Sequence, residues 1–394
     1  MNFALLGHQP AALPLLQAIA ADTACRLASA YGESLPAAVF EAAPGVRRLD
    51  DWADLLAPGA VDAVIVAGGD DATRTAAKHL FAAGRPLLVV PHPAQDTSWM
   101  YELALQQADA RAVLMPYFPH REDAGVRRLR EALAEGRIGP PRALEMERLV
   151  ISTRQDPPRL SVEEIDGALV NDADLLRFLA GHYSQVTALR TGETAEGCLR
   201  ALVTLAGKGA PEATWTIRPV AAAPGWRLTI AGDAGAAVLE KSAAAPAARL
   251  TIQGELQPAG PLSEVGHAAQ VLAAFRGLRP RETTDAIWED LIRAGETVDA
   301  ARDSLRRRRT IDLYSGTHSE QTVFKTQMTA MGCGVLFLTL VGVILLAVVD
   351  AGFRFPPLVK NVLRALVFLP VFLFLLLQLL YFAARPARGG EKPE

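Results

Sequence analysis

The sequence predicts an α/β chain: a doubly wound parallel sheet, then an α+β domain on a mainly antiparallel sheet, then two transmembrane helices. Three observations carry this. Strand-like and helix-like stretches alternate over the first third. Strand-like stretches separated by glycine turns dominate the middle. Two long apolar runs without a charge lie near the end.

The alternation begins at once. Asn2–Leu6 reads as a strand, Ala11–Ala21 as a helix and Arg26–Tyr31 as a strand. Leu49–Leu56 follows as a short helix, Ala63–Ala67 as a strand, Thr73–Ala83 as a helix and Pro86–Val90 as a strand. Strands separated by helices of about ten residues favour a parallel sheet with right-handed crossovers. Gly7, Gly68, Gly69 and Pro91 come directly after strands, at the carboxyl edge where such sheets bind ligands. Glu122–Glu135 makes a helix that ends at Gly136.

The period then changes. Arg142–Thr153, Cys198–Leu205, Glu212–Ile217, Trp226–Ala231, Ala236–Leu239 and Ala248–Gln253 are strand-like, with Gly207, Gly209, Gly225 and Gly232 as turn residues. That pattern fits an antiparallel sheet. Asp172–Leu179, Pro261–Phe275 and Asp285–Leu305 are helical. The expected divisions are a Rossmann-like domain over residues 1–121, an α+β domain over 122–314 and a juxtamembrane linker over 315–327. A two-helix hairpin over 328–384 and a cytoplasmic tail over 385–394 complete the chain.

Met328–Val349 is an apolar run of about 22 residues and Ala365–Ala384 one of about 20. A spanning helix takes roughly 20 such residues. Leu366–Leu380 has no polar face, its only interruptions being Pro370 and Gln378. Ala330, Gly334 and Gly342 are small enough to let the two helices approach closely. Met1–Leu6 lacks the basic n-region of a secretory signal and breaks at Gly7. The expectation is an inner-membrane protein of two spans, with both termini and the large N-terminal part in the cytoplasm. The Asp350–Arg364 loop would face the other side. Arg306–Arg309 is a basic run with two readings, a solvated helix end or a contact with anionic headgroups.

Composition narrows the chemistry. A net charge of −3 gives no footprint for nucleic acid. Cys25, Cys198 and Cys333 are far apart and form no CxxC, which fits free thiols in a reducing compartment. His8, His79, His120, His182 and His267 show no HxxxH or HxxE spacing, so no metal is expected. There is no GxSxG and no Walker A motif.

A family resemblance covers roughly Met1–Tyr314. The stretch Leu49–Gly68, LDDWADLLAPGAVDAVIVAG, is similar to a helix-then-strand approach to a nicotinamide site. GRPLLVVPHPA at Gly84–Ala94 sits where the family has a strand ending in Glu-Lys-Pro. RRLREALAEGRIGPPR at Arg127–Arg142 looks like the opening of the second domain. GALVNDADLLRFLAG at Gly167–Gly181 resembles the helix bearing family catalytic residues, and SLRRRRTIDL within Glu296–Leu313 the closing helix and last strand. Together they resemble the glucose–fructose oxidoreductase / inositol dehydrogenase (Gfo/Idh/MocA) family, whose members are mostly NAD(P)-dependent dehydrogenases of sugars and cyclitols.

The resemblance implies cofactor contacts at Gly7, Gln9, Ala12, Tyr31, Glu33, Gly68 and Pro93, with NAD and NADP both open. It implies catalytic positions at His92, Asn171, Asp172 and Asp174. The sequence departs from the family pattern at several of these. Of GxGxxG only Gly7 remains: Gln9 replaces the second glycine, Ala12 the third, and Pro10 removes an N–H donor. Tyr31 stands where an acid holds the ribose hydroxyls, with Glu33 nearby. The Glu-Lys-Pro tripeptide reads Pro91-His92-Pro93. The family Asp-x-x-x-His pair falls on Gly167 and Asn171, with Asp166 and Asp172 each displaced by one residue. Asparagine bonds a hydroxyl but is no general base. That leaves His92 as the expected proton acceptor, while Asp174 matches a family acid whose ordinary role is to stabilise a helix N-terminus.

Two functions follow as expectations: a membrane-anchored NAD(P)-dependent oxidoreductase acting on a sugar-like or cyclitol alcohol, or a non-catalytic binding or scaffold protein that retains the fold. The expected partners are a polyol or sugar, the lipid bilayer, and a second copy through the antiparallel sheet.

Overall fold

Phe3, Ala4, Leu5 and Leu6 are all fully buried, the pattern of a parallel strand covered on both faces. They form β1 (Asn2–Leu6) at the centre of a six-stranded sheet. The other strands are β2 (Arg26–Tyr31), β3 (Arg47–Arg48), β4 (Ala63–Val66), β5 (Leu87–Val89) and β6 (Leu114–Pro116). The order is β3-β2-β1-β4-β5-β6 and every pair is parallel. This is the doubly wound order, and its strand order reverses between β1 and β4. Helices α1 (Leu13–Ala21), α2 (Ala37–Ala42), α3 (Asp71–Ala82) and α4 (Thr97–Gln107) connect the strands, and α5 (Ala124–Ala134) follows β6.

The computed structural model describes residues 1–33, 35–107, 112–152, 157–243, 245, 248–258, 263–278, 285–313, 337–346, 365, 367–369 and 372. By contacts the chain divides into Met1–Ser315 and Gly316–Glu394. All three clusters of buried apolar residues lie in the first unit, which therefore carries its own folding cores.

The second sheet has nine strands: β7 (Pro141–Ile151), β8 (Gln185–Thr191), β9 (Arg200–Gly207), β10 (Ala210–Val220), β11 (Gly225–Gly232), β12 (Gly235–Ser242), β13 (Arg249–Ile252), β14 (Glu255–Gln257) and β15 (Ile311–Asp312). Their order is β14-β13-β12-β11-β7-β10-β9-β8-β15. The sheet is mixed rather than wholly antiparallel, because β10 runs parallel to β7 in its middle. Helix α6 (Val162–Ala180) packs on β7 and β10, and α8 (Asp285–Arg307) on β8 and α6.

Helix α7 (Glu264–Gly277) follows the second sheet in sequence but packs on the first. Its Ala268, Val271, Leu272 and Phe275 join the core built by β1 and α1. Trp288, Leu291 and Ile292 of α8 enter the core on the other face of the first sheet, while Ala294, Val298 and Ala301 belong to the core under the second. One helix thus nails the two sheets together.

Several expected boundaries shift for physical reasons. The first helix is preceded by a 3-10 turn at Pro10–Ala12, with Pro14 near the start of α1. The expected helix Leu49–Leu56 is a 3-10 turn over Trp52–Leu56, started by the Asp51 carboxylate accepting from Ala53 N–H. The expected Asp172–Leu179 helix begins ten residues earlier, at Val162. Ser161 and Glu164 close a reciprocal capping box there, through bonds of 3.2 and 2.7 Å. Asp174 is therefore in the helix interior, not at its N-terminus.

The 315–327 linker, the 385–394 tail, Cys333 and most of 328–384 lie outside the described residues. Among the described residues no helix is long and apolar enough to cross a membrane. Residues 337–346 are helical, with Phe337 and Leu338 outward at 66% and 70% exposure. Gly342 faces Val367: a Cβ at Gly342 would lie 3.0 Å from the Val367 Cγ1. The two apolar runs therefore touch at one of the expected small residues.

Candidate functional site

The candidate site is the carboxyl edge of the first sheet, where the turns after β1, β4 and β5 meet α6. Gly7 has φ +68°, and a Cβ on it would sit 2.5 Å from the Gly68 Cα, so only glycine fits. Gly68 in turn accepts from the Gln95 side chain at 2.9 Å. The Gln9 side-chain amide donates to the carbonyls of Val90 at 3.0 Å and Pro91 at 2.7 Å. Because β4 lies between β1 and β5, this side chain bridges the crevice at the switch point.

A pyrophosphate would need that crevice and free N–H groups at the start of α1. Pro10 and Pro14 have none. Ala12 N–H already donates to the Gln9 carbonyl at 3.0 Å, and Leu13 N–H to that of Pro10. Ala12 itself is fully buried in the core. At the second strand, Tyr31 packs against the apolar cluster that includes Leu6 and Leu49. Glu33 is exposed, and its carbonyl accepts from Arg48 at 3.3 Å. Gln9, Pro10 and Pro14 leave this turn with less room and fewer N–H donors than the dinucleotide cradle that the fold ordinarily carries.

His92, Pro93, Gln9 and Asn171 do come together, lining one cavity of roughly 720 Å³. The His92 Nδ1 accepts from Ala94 N–H at 3.1 Å. That bond places the ring proton of neutral His92 on Nε2, which is then a donor. Burial lowers the His92 pKa, against a smaller opposing pull from Asp70 and Glu163, so the ring is neutral near pH 7. The geometry suits holding a ligand oxygen and does not suit accepting an alcohol proton at Nε2.

Asn171 donates from Nδ2 to the Gly167 carbonyl at 3.2 Å, one turn back on α6. Its Oδ1 is buried and makes no hydrogen bond within the protein. Asn171, Gly167, Glu164, Pro10 and Ala11 also border a second cavity of roughly 480 Å³, which reaches His120, Arg148, Lys241 and Glu264. The two cavities adjoin across these shared residues, and together they make up the cleft beside the first sheet, α6 and the second sheet.

Asp172 and Asp174 lie outside the cleft lining. Asp172 is fully buried beneath the second sheet, where Arg148 pairs with both carboxylate oxygens and Trp215 Nε1 donates at 2.7 Å. Burial opposes the charge, but Arg148 and His120 outweigh it and hold the pKa down to about 2. Asp174 is gripped by Arg121 through two hydrogen bonds, and Arg121 also reaches Asp290 on α8 at 2.7 Å. It ties α6 to the segment after β6.

Sequence reasoning set His120 aside with the other isolated histidines. The structure brings its Nε2 to 3.5 Å from Asp172, with the ring edge-on to Trp226 and on the cleft wall. No spacing motif signals this pairing, because the partners arrive from a loop and a helix interior. Among the described residues no cluster of three His, Cys, Asp or Glu is placed to hold a metal ion.

No model of a protein family matches the sequence, and no characterised protein matches it by sequence. Solved structures do match. A myo-inositol dehydrogenase from Lactobacillus casei, in complex with NAD(H) and myo-inositol, aligns with a TM-score of 0.63 at 18% identity, covering 81% of this chain and 98% of that one. The WlbA dehydrogenase from Bordetella pertussis, in complex with NADH and UDP-GlcNAcA, gives 0.63 at 18%, covering 80% and 98%. A myo-inositol dehydrogenase from Corynebacterium glutamicum gives 0.61 at 19%, covering 80% and 99%. At such identity the likeness shows the fold alone, a Rossmann-like parallel sheet followed by a mixed-sheet domain, as in these dehydrogenases.

Proposed function

We propose that Met1–Ser315 is a small-molecule binding unit that keeps this oxidoreductase fold without hydride transfer, and that residues 328–384 tether it to a membrane. The observation that carries the first half is the Gln9 side chain bonded across the switch-point crevice to Val90 and Pro91. The ligand is a polyol or sugar-like compound seated in the cleft. Asn171 Oδ1, a buried acceptor with no partner in the protein, would take a hydroxyl. His92 Nε2–H, Lys241 and Glu264 supply donors and acceptors around it.

Titration of purified Met1–Ser315 with NADH and NADPH tests this reading. No change in nucleotide fluorescence at millimolar cofactor is expected, alongside calorimetric binding of a polyol such as myo-inositol that Asn171→Ala weakens. Tight dinucleotide binding would sink it.

The second reading is an active NAD(P)-dependent dehydrogenase. The observation favouring it is that His92 and Asn171 share one cavity at the sheet edge, and the fold neighbours from Lactobacillus casei and Bordetella pertussis carry NAD(H) and NADH. His92 Nε2–H would then donate to the reacting oxygen in the reducing direction, and His92→Ala would lower turnover about a hundredfold.

Tethering is supported by two apolar runs of spanning length, by their outward Phe337, Leu338, Phe368 and Phe372, and by the Gly342–Val367 approach. The full chain should resist a carbonate wash of membranes, and a chain ending at Ser315 should not pellet. In intact cells an impermeant thiol reagent should leave a cysteine placed at Ser315 unlabelled, as a cytoplasmic position requires. A second copy is expected on the outer face of the second sheet, where Thr204, Thr214, Glu145 and Thr229 lie in register. Light scattering in solution checks the dimer.

A further inference from the structure

Arg306, Arg308 and Arg309 of the basic run line a further cavity, which meets the His92 cavity at Val162 and Arg302. It has a volume of roughly 820 Å³ and sits between the end of α8 and β8. Arg190, Arg302, Arg306, Arg308 and Arg309 line it against a single acid, Glu193. Arg306 shares Asp303 with Arg307, and Arg302 is held by Asp166 and Asp299. Arg308 and Arg309 enter no ion pair among the described residues.

The backbone adds an independent observation. Arg308 occupies the position just after α8 with φ +53°, the left-handed region where a helix stop ordinarily has glycine. A bulky residue there is disfavoured, and such outliers gather at functional sites. The same residue puts a free guanidinium on the cavity rim. Deeper in, Arg190 pairs with Glu193 at 3.5 Å through Nη1, while its Nε is buried without a partner. The cavity floor is fixed, since Ser304 Oγ accepts from Ala188 N–H at 2.9 Å and donates to the Arg309 carbonyl at 2.7 Å.

The geometry points to a binding site for a phosphate group at this α8–β8 cavity, with Arg308, Arg309 and Arg190 as its ligands. Guanidinium groups match phosphate and carboxylate oxygens with paired N–H donors, and several converging on one cavity favour phosphate, which has more acceptor oxygens than a carboxylate. The phosphate belongs either to a lipid headgroup or to a soluble phosphate compound. Leu189 and Val162 line the same cavity at 59% and 48% exposure, an apolar margin that a lipid would use.

Two probes separate the sources: inorganic phosphate in calorimetry, and vesicles of phosphatidylcholine mixed equally with phosphatidylglycerol in flotation. Both use Met1–Ser315, which holds all three cores. The variant is Arg308→Gly/Arg309→Gln, in which glycine suits the left-handed backbone and folding is preserved. An exposed control, Arg249→Gln, changes charge elsewhere. At least one probe should bind, and the double variant should bind it about tenfold more weakly or worse. Vesicle binding without phosphate binding assigns the lipid headgroup, and the converse a soluble phosphate compound. The site is refuted if neither probe binds, if the double variant binds as wild type does, or if Arg249→Gln weakens binding equally.

Discussion

Gln9 and Pro91 are joined by a hydrogen bond of 2.7 Å from the glutamine side chain to the proline carbonyl, over the end of the strand between them. The turn after the first strand is thereby tied to the turn after β5. Gln9→Gly removes this bond and the 3.0 Å bond to Val90. It should cost about 1–3 kcal/mol in urea unfolding. Combined with Pro10→Ala, which returns an N–H, it should give measurable NADH fluorescence enhancement, where none is expected of wild type.

Gly7→Ala should be more damaging than its size suggests. The φ of +68° disfavours any side chain, and the new methyl would meet the Gly68 backbone at 2.5 Å. Strain of this kind costs about 1–3 kcal/mol before the clash is counted. A fall in unfolding midpoint larger than that of Gly136→Ala, an exposed positive-φ turn with open space around it, is the expected result.

Asp172 should make the protein acid-sensitive. The unfolded carboxyl titrates near 3.8 and the folded one at about 2, so its stabilisation is complete above the unfolded value. It is lost as pH falls from about 4 toward 2, an effect of about 2 kcal/mol. Asp172→Asn leaves the Arg148 charge without its carboxylate and should cost about 3–5 kcal/mol at neutral pH. Its stability should change less than wild type's over the acid range. Equal acid slopes for the two proteins would rule the assignment out.

His92 should impose a second, milder dependence. Its folded pKa lies below the ordinary 6.5 because burial disfavours the imidazolium. Below pH 6.5 the unfolded chain takes up the proton first, so stability falls as pH drops toward the folded value. Protonation also takes Nδ1 from Ala94. The difference in melting temperature between wild type and His92→Ala should therefore shrink between pH 7.5 and pH 5.5, against the constant gap of a residue with no titrating role.

Much of the fold was legible because it rests on local pattern. β1 falls at the residues its apolar run marks and β4 ends one residue before its expected end, since a strand covered on both faces writes an unbroken apolar stretch. Short elements left weaker marks. β3 and β14 are two and three mostly polar residues long, and their order comes from neighbours rather than propensity. α6 looked short because Gly167 interrupts its pattern, yet the capping box at Ser161 and packing on the second sheet carry the helix through.

The departures from the family pattern at Gln9, Pro10, His92 and Asn171 were determined by the sequence alone, since residue type and order suffice to show a missing glycine or lysine. The tertiary structure decided what replaces them. It tied Gln9 to the far side of the crevice, set the His92 tautomer through Ala94, and brought His120 to Asp172. It also committed Asp172 and Asp174 to Arg148 and Arg121. These pairings join residues far apart along the chain, and a charge or ring shows its partner only after the sheets have packed around it.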